Sequence, residues 1–191
     1  MPNRLTKGKA LLGAINVPAS GLYIANVAVT ATAAELNTNA SLLATTAELN
    51  RVADVSTRII NGTAAGTLSI TELAHDGKVV LLNRAGGFTS QLPAATGSGA
   101  KLHFVVATTG TANYVITVVG NDTMFGNAFF VTDNAGTVIA FKAGGGSIIT
   151  LNGSTTAGIK GDSVELIDIA ADTWWVDVRA AGTGAEATPF S

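Results

Sequence analysis

The sequence predicts a mainly β protein: an N-terminal extended arm and short capped helices, followed by an antiparallel β-sandwich or jelly-roll-like domain. Three observations carry this reading. Beyond residue 61, short apolar runs recur between clusters of Gly, Thr, Asn and Asp, the spacing expected of an all-β fold. Between 32 and 60 a near-duplicated TAELN motif carries helix-start signals. Residues 1–31 show neither pattern. The expected organisation is an arm over 1–31, a short-helix repeat segment over 32–60 and an all-β domain over 61–191.

The arm begins with Arg4, Lys7 and Lys9 ahead of "ALLGAI". That order mimics a secretory leader, but Asn16 and Pro18 break the apolar run early. Met1 to Gly21 is therefore expected to lie extended on a partner surface. No run reaches the ~18–20 apolar residues of a membrane span.

The repeat aligns Thr32–Ala44 with Thr45–Thr57, thirteen positions apart. A coiled-coil seam would favour seven or fourteen. Thr32 with Glu35, and Thr45 with Glu48, instead match the capping box, in which hydroxyl and carboxylate satisfy orphan backbone donors reciprocally. Two short helices follow, about Ala33–Leu43 and Thr46–Val55. Helices this short are marginal alone in water, so Leu36, Leu43, Leu49 and Val52 are expected to pack against other copies of the chain or against its own β-part.

In the β region, "NGT" and "AAGT" read as a boundary. "KVVLLN", "FTSQL", "KLHFVVATT", "YVITVV", "AFFVTD", "TVIAFKA", "SIITLN", "DSVELIDI" and "TWWVDVR" read as strands. "GTAN" and "DNAG" read as hairpin turns. Alternation places Val164, Leu166 and Asp168 on one face, and Glu165, Ile167 and Ile169 on the other. Both faces are apolar, which suggests cover on both. In "TWWVDVR", Trp174 is expected in the core. Trp175 falls on the second face, where it packs in a contact between or within subunits, or stacks on a sugar.

Charged residues make up 13% of the 191-residue chain, against about 25% in a usual soluble domain. Such a surface is poorly equipped to stay monomeric, so burial against other chains is expected. The net charge of −2 offers no excess to neutralise phosphates, which argues against nucleic-acid binding. The absence of Cys excludes disulfides and thiolate metal sites.

Catalytic signals are weak. His75 and His103 stand in no Ser-His-Asp order. Asp162, Glu165, Asp168 and Asp172 crowd "GDSVELIDIAAD", yet alternation puts Glu165 and Asp168 on opposite faces, against joint glycoside chemistry. "AGGGS" lacks the lysine of a phosphate loop. Neither an enzyme, a cofactor nor a metal site is expected.

The TAELN repeats resemble segments of tailed-bacteriophage structural proteins. "GKVVLLNRAGGFTSQLPAATGSGAKLHFVVATT" and "IITLNGSTTAGIKGDSVELIDIAADTWWVDVRAAGTGAEATPFS" resemble the start and end of a β-domain of phage head decoration proteins and head fibres. The resemblance covers roughly Gly77 to Ser191. It implies a capsid-decorating, capsid-stabilising protein on the outer surface of the virion, made in the host bacterial cytoplasm. It implies a homotrimer in contact with the major capsid protein; the charge and the short apolar runs, as above, give no reason to expect nucleic acid or membrane as partner. A head or tail fibre binding host glycans, through Trp175 or Tyr114, is the alternative.

Overall fold

The computed structural model describes residues 22–24, 27–29, 58–133 and 136–191. The chain divides into two units, Met1–Asn50 and Arg51–Ser191. The two expected helices, about Ala33–Leu43 and Thr46–Val55, with Leu36, Leu43, Leu49 and Val52, lie outside the described residues. In the first unit, β1 (Leu22–Ile24) and β2 (Val27–Val29) pair antiparallel, Leu22 opposite Val29 and Ile24 opposite Val27. Part of the expected arm is thus a short ladder, built from residues with high strand preference.

The second unit begins its strands slightly before the expected boundary, with β3 (Ile59–Gly62). Then follow β4 (Thr67–Ser69), the one-turn helix α1 (Glu72–His75), β5 (Val79–Leu82), β6 (Phe88–Gln91), β7 (Lys101–Val106) and β8 (Tyr114–Thr117). The last five are β9 (Thr123–Thr132), β10 (Val138–Gly146), β11 (Ile148–Leu151), β12 (Ser163–Ala170) and β13 (Thr173–Gly182). They form a seven-stranded sheet, in the order β10-β9-β13-β12-β7-β5-β3, and a four-stranded sheet, β11-β8-β6-β4.

The antiparallel expectation holds only in part. From β3 to β8 each strand enters the sheet that its predecessor left. Neighbours within a sheet therefore come from successive turns of a coil and run the same way: β3 with β5, β5 with β7, β4 with β6, β6 with β8. A parallel pair needs a long crossover, normally a helix; here the opposite sheet's strand is that crossover. β13 with β9 is also parallel. "GTAN" is consequently no hairpin, because β7 and β8 belong to different sheets. "DNAG" does join an antiparallel pair, with Val131 opposite Val138. β12 and β13 form another.

One core joins the inner faces. Val80, Leu102, Phe104, Leu166, Trp174 and Phe130 come from the seven-stranded sheet; Phe88, Tyr114, Ile116 and Ile149 come from the four-stranded one. Tyr114, named above for glycan stacking, is fully buried. Its hydroxyl donates to the Thr108 carbonyl at 2.8 Å and accepts from the Arg84 N–H at 3.0 Å. Burial raises its pKa above the ordinary phenol value. With its ring enclosed, Tyr114 is not available to stack on a sugar. C-terminal residues run beside β11: Ser147 and Ile148 donate to the Ser191 carbonyl, at 2.8 and 3.0 Å, and Thr150 donates to that of Pro189 at 2.8 Å. They cover an edge that would otherwise expose unpaired backbone groups.

Candidate functional site

The widest feature of the second unit is the outer face of the seven-stranded sheet. Alternation and register arrange its side chains in rows across the strands. One row runs Gly144, Phe125, Trp175, Ile167, Lys101. The next runs Lys142, Asn127, Asp177, Glu165, His103. A third holds Ala140, Phe129, Arg179 and Ser163, and a fourth Val138, Val131 and Ala181.

Phe125 is 46% exposed, Val131 56%, Val138 58% and Ile169 52%. Trp175 and Ile167 are half-buried. Among the described residues the expected cover over this strand is therefore incomplete, with Glu165 and Ile169 exposed and Ile167 half-buried, while Trp174 is fully buried, as expected. Beside the aromatic row, the Arg179 guanidinium carbon lies 5.1 Å from the Phe129 ring centroid. Its Nε donates to Asp177 at 2.7 Å. In water such an exposed pair is worth only about 0–1 kcal/mol.

Phe125 and Phe129 were not singled out from the sequence. The signal lay in "TMFGNAFFVT", whose two alternating sets, Phe125-Asn127-Phe129-Val131 and Met124-Gly126-Ala128-Phe130, both contain aromatics. With apolar groups on both faces, period alone does not tell which set is inward.

The acidic candidates are divided between the two faces of the sheet. Glu165 is exposed, and Asp162 and Asp168 face inward, so the alternation holds. Asp168 collects the backbone N–H groups of Thr96 (2.9 Å), Gly97 (2.7 Å) and Ser98 (3.0 Å) and the Ser98 hydroxyl (2.8 Å). It pins the "LPAATGSG" loop to β12. Asp162 accepts from Gly158 and Ile159, both at 2.8 Å, and from Ala181 at 2.8 Å. It pins "TTAGIKG" to β13. Asn152 completes that loop, accepting from Ser154 at 2.9 Å and Thr156 at 3.1 Å. These distinctive motifs thus encode loops tied to inward carboxylates and an amide. Asp172 turns the chain with φ +58, and its carbonyl accepts from Thr123 at 3.0 Å.

The two clamps titrate in opposite directions. Burial pushes Asp162 above the usual carboxylate range, against the N–H groups of Ala181, Ile159 and Gly158. Burial also acts on Asp168, but the N–H groups of Thr96, Ser98 and Gly97 and the Ser98 hydroxyl outweigh it and hold the carboxyl below that range. The depressed group contributes stability that is present above the unfolded-state pKa and lost as pH falls through the folded value; the raised group does the reverse. Asp168→Asn is therefore expected to cost about 1–3 kcal/mol at neutral pH and to become less damaging in strong acid. Asp162→Asn is expected to become more damaging there, relative to wild type. Urea melts across the acid range, with carboxyl NMR titration, check both.

His75 is buried in α1, its Nδ1 3.1 Å from the Thr71 N–H. Burial lowers its pKa, the Thr71 carbonyl opposes this, and Lys78 adds to it, which suits a neutral ring accepting that hydrogen bond. His103 is exposed opposite Glu165. Among the described residues, no three His, Asp or Glu side chains converge as a metal site, and no helix is long and apolar enough to cross a membrane. No protein-family model matches the chain, and no curated protein does.

Proposed function

We propose that the chain is a structural virion protein that decorates and stabilises a bacteriophage capsid. Its two sheets would form the layers of a sandwich-like body, and its mechanism is noncovalent stapling: each contact made with the shell raises the cost of a subunit leaving. The carrying observation is the open apolar face around Phe125, Trp175, Val131 and Val138, on a body whose long loops are tied to inward carboxylates. Large exposed apolar patches mark sites of association. The resemblance of "LPAATGSG" and "LNGSTTAGIKGD" to decoration-protein β-domains points the same way, as does the low charge. Homotrimers in contact with the major capsid protein, without catalytic chemistry, are part of this proposal.

Glycan recognition is the second reading, favoured by one observation. Trp175 lies beside a polar row of Asn127, Asp177 and Glu165, a pairing of ring and hydrogen-bonding groups suited to sugars. Particles lacking the protein are expected to rupture at lower temperature, and adding it back to restore them. Unchanged rupture would exclude a stabilising role. Binding of the chain to host cell-surface glycans, abolished by Trp175→Ser, would favour the second reading.

A further inference from the structure

The outer face is self-complementary. Consider a two-fold axis lying across the strands, midway between the Asp177 and Arg179 rows. It stacks the face on a second copy with strands reversed, and exchanges each row for its mirror about that line. Asp177 then lies over Arg179 of the second copy, and Glu165 over Ser163. One row further out, Trp175 meets Ala181 and Phe125 meets Val131. At the sheet edge, Val138 meets Gly144. Large side chains thus fall opposite smaller ones, as interdigitation between sheets about 10 Å apart requires. Shifting the axis by half a row, onto the Asp177 row, would put Asp177 over itself, which repulsion disfavours.

We infer that two copies of the chain pair through this face, about that axis. The five strands β10, β9, β13, β12 and β7 present about 24 Å by 24 Å at the usual strand and residue spacings. Two such faces bury about 1,200 Å² together, the lower end for specific interfaces. Pairing should therefore be weak and concentration-dependent. Inside it, the Asp177–Arg179 pairs leave water, where a charge pair gains strength. The inference deepens the proposed structural role and rests on it for its use on a shell. A threefold assembly needs a heterologous contact, which a two-fold face does not provide; this face would link such assemblies pairwise.

The test is sedimentation equilibrium on the full chain over a wide concentration range. The smallest species is expected to double in mass. Arg179→Asp and Asp177→Arg should each weaken doubling by about tenfold or more, and the combined exchange should restore it. Trp175→Ser, which changes no charge, should weaken it too. Thermal melts are expected to stay near wild type for all four, since these side chains lie outside the core. No doubling, or doubling indifferent to these substitutions, would overturn the inference. Doubling without any rise in particle rupture temperature would instead remove the capsid role and leave the pairing intact.

Discussion

Gly126→Ala is expected to destabilise the second unit by at least about 3 kcal/mol, at the upper end of what overpacking does. Gly126 sits inside β9 opposite Val176 of β13. A Cβ there would land on the Val176 carbonyl oxygen, and the local φ of +155 is one that L side chains rarely adopt. The obstacle is backbone within a ladder, so no rotamer change relieves it. To accommodate a methyl group, β9 must separate from β13, its only parallel neighbour. Gly144 supplies the control. It lies on adjacent β10 with open space where its Cβ would be, so Gly144→Ala should stay within about 0.5 kcal/mol of wild type. Urea denaturation followed by far-ultraviolet circular dichroism separates the two. Equal midpoints would show that β9 and β13 are not in contact at Gly126.

Trp174→Ala is expected to cost about 3–5 kcal/mol, the range for removing a large buried aromatic and leaving a cavity. The side chain is fully buried among residues of the common core, and its row continues through Met124 on one side and Asp168 on the other. Its buried indole Nε1 has no hydrogen-bond partner among the described residues. Trp174→Phe is therefore expected to cost much less, about 1–2 kcal/mol. It keeps most of the ring volume and removes a donor that pays desolvation without return. Chemical denaturation of both variants measures this. Equal losses would mean that the indole nitrogen is satisfied in solution, by water or by movement of a neighbour.

How much of this was legible in the sequence depends on the range of each signal. Period two identified most strands of the second unit and put Trp174 inside, because alternation is a local property of a pleated chain. It also put Glu165 and Asp168 on opposite faces, which is where the structure has them. Connectivity was not legible. Gly110 and Asn113 announce that the chain turns, but not whether it returns beside β7 or crosses to the other sheet. β3 and β4 were missed because runs such as Ile59–Ile60 and Thr67–Ser69 are too short to show a period. At the outer face, the sequence of β9 offers two apolar sets, and which becomes the core depends on what β13 and the four-stranded sheet bring to it. Asp162 and Asp168 were noticed as acids, while their remote partners, Ala181 for Asp162 and Thr96 to Ser98 for Asp168, were visible only once the strands were placed.

The alternation of β3 to β8 between the two sheets has a consequence for how this unit comes apart. Every turn of the coil deposits one strand in each sheet, so neither can be completed without building the other. A partly wound molecule exposes the inner faces of both at once. Loss of secondary structure and loss of the environment around the enclosed indole should therefore coincide along a denaturant titration, as a single cooperative step rather than one sheet peeling from its partner.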